Sequence, residues 1–215
     1  MTLPGPAVLT WIEASLALSA LVVALALRPW RMLTTGLLTP WLATIVFLPL
    51  VWLLPQGLPN GMAVQFSGAS LLVLMVGWPL AVLALTVVAA LVWALGTLPL
   101  APVLSQLVWV GLVPATLALL LGAALRRWLP PNPFVYVLGR GFLGTAACVF
   151  LAGASQELLY RLVGQVGLEQ ALVAHWLMAW GDAFLTGMGA AVFVAFAPQW
   201  LATWSDARYL RPPEP

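Results

Sequence analysis

The chain has 215 residues, of which 63% are hydrophobic and only 7% are charged. Soluble domains carry roughly 25% charged and about 45–50% apolar residues, so this composition excludes a water-soluble globular domain. All eight basic residues are arginines, and no formal charge occurs between Arg31 and Arg126. The net charge of +2 gives no reason to expect a nucleic-acid partner. The chain is therefore predicted to be an all-α, polytopic protein whose surroundings are the lipid bilayer.

Few residues in the chain carry reactive chemistry. A single cysteine, Cys148, excludes an intramolecular disulfide and a cysteine-cluster metal site. His175 is the only histidine and no Gly-x-Ser-x-Gly sequence occurs, which argues against a catalytic triad and excludes bis-histidine haem ligation. Residues 139–144 match the dinucleotide pattern GxGxxG, but no predicted strand precedes them, and small residues there are more typical of closely packed helices. We expect neither an enzyme nor a permanently bound cofactor.

Proline and glycine clusters and the arginines divide the chain into apolar stretches of about the length that a membrane span needs. Seven spans are predicted, with six as the alternative, over about residues 7–27, 36–54, 62–78, 79–98, 103–125, 140–156 and 170–197. Residues 130–133 are predicted to be a loop, because their prolines cannot continue a helix. Residues 157–169 are predicted to be a surface segment. Residues 1–204 would then form a single transmembrane domain, followed by a short polar tail over residues 205–215.

The arginines orient this predicted bundle. With seven spans Arg161 lies on one side, where Glu157 one turn away offsets its charge. The other arginines share the opposite side: Arg28, Arg31, Arg126, Arg127, Arg140, Arg208 and Arg211. Cytoplasmic loops are enriched in basic residues. The N-terminus is therefore predicted outside and the C-terminus in the cytoplasm, in a multi-pass protein of a bacterial cytoplasmic membrane.

Polar side chains at membrane depth are the best indicators of function, because a charge there costs several kcal/mol unless it faces protein or water. Asp182 lies about 12 residues into the last predicted span. His175, Met178, Asp182 and Thr186 form one stripe on that helix. Two interpretations of Asp182 are open: it accepts hydrogen bonds from a neighbouring helix and fixes packing, or it serves transport or ligand binding. His175 is more often an interfacial residue in such a position, and Glu13 is predicted to be a near-surface carboxylate.

Three stretches of the chain resemble a known family. Residues 58–79 are similar to its Pro-Gly, His-x-x-Gly, leucine-rich helix and Gly-Pro turn. Residues 180–187, Trp-Gly-Asp-Ala-Phe-Leu-Thr-Gly, resemble its Gly-Glu-Ala-x-x-Thr-Gly sequence, and residues 140–153 resemble its Arg-led helix that ends in Leu-Ala-Gly. The family comprises the cobalt/nickel membrane components of energy-coupling-factor transporters, the CbiM/NikM substrate-capture proteins. The order and spacing of the three stretches carry the resemblance.

The resemblance implies a permease that captures a small solute, Co²⁺ or Ni²⁺, at its outer end. Because the chain has no Gly-Lys-Ser/Thr phosphate loop, separate ATPase subunits and a coupling membrane subunit are the expected partners. The alternative from another class is a non-transport scaffold or assembly subunit that binds no solute.

The metal site of the family is built from the N-terminal amine, a histidine after the initiator methionine, and the histidine of His-x-x-Gly. This chain has Thr2 and Gln65 at the two histidine positions, and Asp182 in place of a glutamate. Losing both imidazoles removes the ligands that suit these metals best. Gln65, His175 and Met178 are the candidate replacements, with Asp182 as anionic counterpart or hydrogen-bond orienter. If the third and seventh spans are neighbours, Gln65 and His175 are expected at similar depth, with Asp182 one to two turns deeper.

Overall fold

The structure, a computed structural model, describes residues 5–54, 65–164 and 171–210. The described residues are almost entirely helical and contain no strand. The helices are α1 (Gly5–Ala26), α2 (Thr35–Leu53), α3 (Ala69–Val76), α4 (Trp78–Leu95), α5 (Leu100–Trp128), α6 (Val135–Leu162), α7 (Ala171–Phe196) and α8 (Asp206–Tyr209). The prediction of an all-α bundle is confirmed.

Six of the described helices, α1, α2 and α4 to α7, are long and apolar enough to cross a membrane. Their outward faces carry large apolar side chains, such as Trp11, Phe47 and Phe184, each about two-thirds exposed or more. In water such a surface would aggregate, whereas lipid solvates it. The chain is therefore a multi-pass membrane protein.

The predicted third span, about residues 62–78, differs from a continuous helix. Residues 62–64 lie outside the described part, and residues 65–68 are not helical. Gly68, with φ of +68°, adopts a left-handed conformation that favours glycine, and α3 begins directly after it. With 8 residues, α3 is about 12 Å long at 1.5 Å per residue, which is too short to span the bilayer. An apolar run predicts a membrane pass, but it does not show where the helix is interrupted. We call the non-helical residues 66–68, directly before α3, the break.

The helix ends fall into two groups that lie at opposite ends of the bundle. At one end, Met32 approaches Gly77, and Gly36 lies against Gln199. We call this the arginine end, because the chain positions of five described arginines place them there: Arg28, Arg31, Arg126, Arg127 and Arg140. The segment between α2 and α4 therefore returns the chain to the arginine end, although its described helical part is short.

The core of the bundle surrounds α3 and α4. Nearly all of α3 is buried, including Leu72, Val73 and Val76 at 2% exposure or less. Its neighbours are α2, α4, the C-terminal half of α5, and α7. Non-helical backbone at membrane depth is tolerated where protein surrounds it, and this enclosure satisfies that condition for the break before α3.

Helices α6 and α7 pack closely through glycines. A Cβ atom on Gly141 would lie 3.2 Å from that of Ala190, and one on Gly187 would lie 3.0 Å from that of Phe142. A Cβ atom on Gly153 would overlap the imidazole of His175. The glycine-rich sequence 139–144 thus supports helix packing, as predicted.

Helix α6 is longer than the predicted sixth span. It begins at Val135, with a π-helical segment over Val135–Leu143, and continues to Leu162. Glu157, predicted in a surface segment, is instead buried within it at 7% exposure. The Nε atom of Arg161 lies 2.9 Å from the Glu157 carboxylate. This pair, one turn apart, neutralises the carboxylate and lets the helix continue, so the predicted end of the span was wrong.

Cysteine labelling tests the predicted orientation of these ends. Cys148 is buried at 3% exposure, so the unmodified protein should resist membrane-impermeant thiol reagents. In a Cys148→Ala background, a cysteine at the exposed Thr97 should label in intact cells, since Thr97 lies between α4 and α5 at the end opposite the arginines. A cysteine at the exposed Ser205 should label only after permeabilisation. Labelling of both from the same side, or the reverse pattern, would contradict the orientation.

Candidate functional site

The carboxylate of Asp182 accepts hydrogen bonds from the backbone at the break that precedes α3. Asp182 lies near the middle of the 26-residue α7 and is 2% exposed. Its Oδ1 atom accepts hydrogen bonds from the backbone N–H groups of Ser67 (3.2 Å) and Gly68 (3.0 Å), and its Oδ2 atom accepts one from Ser67 (3.0 Å). The backbone N–H groups that begin a helix are normally without partners. Asp182, which lies on a different helix, therefore supplies the acceptor for the N–H groups at the break.

Two further helices hold the same break. The Oγ atom of Ser67 donates to the carbonyl of Val110 (2.5 Å), in the π-helical segment Leu107–Leu112 of α5, and accepts from the N–H of Ala69 (3.2 Å). The indole of Trp52, near the end of α2, donates to the carbonyl of Phe66 (3.1 Å). Residues 66–69 are thus fixed by α2, α5 and α7, and the break is a built feature of the fold.

Two buried hydroxyl groups also lie close to the break. Ser70, in the first turn of α3, and Thr186, one turn along α7 from Asp182, are buried at 3% and 0% exposure. Within the described ranges, neither hydroxyl oxygen has a hydrogen-bond partner. A buried polar group without a partner is costly. These two hydroxyls therefore distinguish the surroundings of the break from an ordinary apolar helix interface.

The predicted site residues occupy different surroundings. Gln65 is half-buried and lies two residues before Ser67, on the chain that leads to the break. Met178 is half-buried one turn from Asp182, whereas His175, two turns from Asp182, lies with its imidazole against Gly153 of α6. In the part of the chain that the structure describes, no group of three or more His, Cys, Asp or Glu side chains could hold a metal ion. The proposed ligand set stays a prediction, and Thr2 lies outside the described residues.

A second polar cluster was missed by the sequence reasoning. Glu13, predicted near the surface, is 3% exposed, and its Oε1 atom accepts hydrogen bonds from Trp109 Nε1 (2.9 Å) and the Tyr160 hydroxyl (3.3 Å). Tyr160 also shares a 2.8 Å hydrogen bond with Ser105, and Gln156 Nε2 donates to both hydroxyls. Because the partners lie on α5 and α6, no spacing within one helix could link them to Glu13. Their polarity within apolar helices was the only available signal.

The fold and the break together define a class, that of polytopic α-helical membrane proteins in which a short buried helix follows a non-helical segment. Comparison with known proteins adds no family to this class, since no family model, no curated protein and no solved structure matches the chain. The resemblance to the CbiM/NikM family therefore depends on the three stretches described above.

Proposed function

We propose that this chain is the solute-capture membrane component of an energy-coupling-factor uptake transporter. The observation that carries the proposal is the interrupted pass, whose non-helical residues 65–68 are fixed by Asp182 near the middle of α7. Discontinuous helices near the bilayer midplane commonly form the solute sites of transporters. Two of the stretches that resemble the CbiM/NikM family, residues 58–79 and 180–187, meet here through Ser67, Gly68 and Asp182.

The solute that we propose is a transition metal ion, Co²⁺ or Ni²⁺, bound on the outer side of the break. His175 precedes Asp182 along α7 and therefore lies towards the end opposite the arginines, and Gln65 precedes Ser67 on the chain that leads to the break. An imidazole nitrogen, a thioether and an amide oxygen from His175, Met178 and Gln65 would supply ligands of mixed softness. Asp182 would act as the orienter of the segment that carries Gln65.

Metal binding to the purified chain tests this proposal. We expect the wild type to bind Co²⁺ or Ni²⁺ in titration calorimetry, and His175→Ala and Gln65→Ala each to weaken binding at least about tenfold, since each removes one ligand. Gln199→Ala is the matched control, because it removes an exposed amide at the arginine end. Unfolding temperatures of all variants in detergent should stay close to that of the wild type. Absence of binding by the wild type, or unchanged affinity in both ligand variants, would contradict the proposed site.

The energy supply gives a second test. Because the chain has no Gly-Lys-Ser/Thr loop, we expect the purified single chain to hydrolyse no ATP above background. Metal uptake in reconstituted vesicles should require ATPase subunits and a coupling membrane subunit from the same cells. Turnover of ATP by the chain alone would contradict the proposal and favour an enzyme.

A scaffold or assembly subunit without a solute is the second candidate, and one observation favours it. Both carboxylate oxygens of Asp182 accept backbone N–H groups, as the packing interpretation of this residue expects, and His175 lies against α6. A scaffold predicts no metal binding by the wild type, while loss of the Asp182 carboxylate still destabilises the fold. The calorimetric titration therefore distinguishes the two candidates.

A further inference from the structure

Arg140 is a buried cation at the arginine end, and no carboxylate of the described residues pairs with it. It lies early in α6 and is only 6% exposed. Among the described residues, no hydrogen-bond acceptor meets its Nε or Nη1 atom. A buried charge that lacks a partner is strongly unfavourable, and a guanidinium offers a planar fork of donors that matches carboxylate and phosphate oxygens. The chemistry of Arg140 therefore calls for an anion.

The guanidinium is held in place by its neighbours. It lies against Gly122 of α5, where an added Cβ atom would fall 2.6 Å from its Cζ atom. On another side it faces the ring of Tyr136, with 5.9 Å between the Cζ atom and the ring centroid, a favourable cation–π distance. The glycine thus leaves the space that the guanidinium occupies. Because both contacts come from within the bundle, the position of Arg140 is built into the fold.

Arg140 lines a small pocket, open on one side, that a second arginine shares. Arg126, Tyr136 and Tyr209 also line it, together with prolines of the loop between α5 and α6, and none of the acidic residues that the structure describes lines it. The one ion pair among the described residues joins Arg161 to Glu157, far from this pocket. Two positive charges therefore share one pocket, and no carboxylate among the described residues balances them.

The pocket lies at the arginine end of the bundle, between two helices that are long and apolar enough to cross a membrane. It is formed where α5 ends at Trp128 and α6 begins at Val135. Trp128 and Phe134, which flank the loop, are 76% and 73% exposed, and aromatic side chains are enriched at the membrane interface. Basic pockets between transmembrane helices at this depth bind the head groups of anionic lipids.

We propose that this pocket binds a phosphate group, with Arg140 as the buried bidentate donor and Arg126 as the second cation at the mouth. The source that the location favours is an anionic phospholipid of the adjacent leaflet, and a soluble phosphate would use the same chemistry. The pocket lies where α5 and α6 meet the C-terminal segment, because Tyr209 lines it and Tyr136 shares a 2.8 Å hydrogen bond with Thr203 and contacts Tyr209 edge-to-face. This site is separate from the break and does not depend on the proposed transport function.

Ligand-dependent stability of the full-length, detergent-purified chain tests the proposal. Short-chain phosphatidylglycerol, phosphatidylcholine and inorganic phosphate are titrated, and the unfolding temperature and native mass spectra are recorded. Phosphatidylglycerol should raise the unfolding temperature of the wild type saturably and remain bound in the spectra, whereas phosphatidylcholine should do neither. Arg126→Gln should weaken the response about tenfold, and Arg140→Gln should abolish it.

The matched control is Arg127→Gln, which removes the neighbouring exposed arginine that does not line the pocket. It should respond to phosphatidylglycerol like the wild type. Saturation by inorganic phosphate, with loss of bound phosphatidylglycerol in competition, would support the same pocket with a soluble source. Equal responses to both lipids, or equal weakening in the Arg126 and Arg127 variants, would overturn the proposal in favour of general surface electrostatics. A wild type that responds to neither phosphate source would overturn it as well.

Discussion

Replacing Asp182 by alanine is expected to lower the free energy of unfolding by about 3–5 kcal/mol, because it leaves the buried N–H groups of Ser67 and Gly68 without acceptors. Each unsatisfied buried donor costs about 1–3 kcal/mol, and hydrogen bonds to a charged acceptor lie at the upper part of that range. Asp182 is 2% exposed and all three of its hydrogen bonds go to backbone at the break, so water cannot replace it without opening the bundle. Thermal unfolding in detergent, followed by tryptophan fluorescence, measures the loss.

Two control variants separate this effect from a general loss of charge. Asp182→Asn keeps one acceptor oxygen but turns an NH₂ group towards backbone donors, so its loss should lie between those of the wild type and the alanine variant. Asp206→Ala removes an exposed carboxylate near the C-terminus that accepts one hydrogen bond, from Trp204 Nε1 (2.6 Å), and should cost no more than about 1.5 kcal/mol. If Asp182→Ala unfolds at the same temperature as Asp206→Ala, the carboxylate does not hold the break.

Replacing Gly153 by alanine is expected to cost about 2–3 kcal/mol through overpacking of α6 against α7. The added Cβ atom would overlap the Cγ and Nδ1 atoms of His175 and would lie 3.0 Å from its Cβ atom. Rotation about χ1 moves the Cγ and Nδ1 atoms but leaves the Cβ atom of His175, which is bonded to the backbone of α7, 3.0 Å from the added Cβ atom. The ring must therefore leave its rotamer or the helices must separate. Thermal unfolding of the variant in detergent measures this cost.

A double substitution identifies the cause. Gly153→Ala combined with His175→Ala should recover most of the loss, which gives a coupling of about 1–2 kcal/mol in a double-mutant cycle. Gly181→Ala is the matched control, since an added Cβ atom there meets nothing within 4 Å, and alanine should be neutral or slightly stabilising in that helix. Additive losses in the cycle would place the strain of Gly153→Ala elsewhere than at His175.

Composition and charge were sufficient to predict the fold class, because lipid imposes a simple rule on sequence. Backbone polar groups in hydrocarbon must be satisfied within helices, so apolar stretches map directly onto the long helices. The loop at residues 130–133 was placed by proline chemistry, and the structure has α5 end at Trp128 and α6 begin at Val135. The grouping of Arg28, Arg31, Arg126, Arg127 and Arg140 at one end follows from the same counting of passes.

The break before α3 could not be predicted in the same way, because it depends on contacts between distant parts of the chain. The residues that follow it are as apolar as a spanning helix, and its stabilising partners lie on three other helices. The burial of Glu13 has the same origin, since Trp109 and Tyr160 reach it from α5 and α6. Sequence identified Asp182 as exceptional and left two roles open, and its hydrogen bonds to Ser67 and Gly68 match the first of them.

Helix α3 is hydrogen-bonded at both ends to one continuous part of the chain, which consists of α7 and the residues that follow it. Asp182 in α7 holds its beginning, and the residues that follow α7 hold its end, where the N–H groups of Ala202 and Thr203 donate to the carbonyls of Met75 (2.8 Å) and Leu74 (3.3 Å). The hydroxyl of Thr203 adds a 2.9 Å hydrogen bond to Leu74. A short helix clamped in this way cannot slide along the membrane normal by itself. Any motion of α3 must carry α7 and the C-terminal segment with it, so a force applied to that segment at one membrane surface reaches the break in the interior.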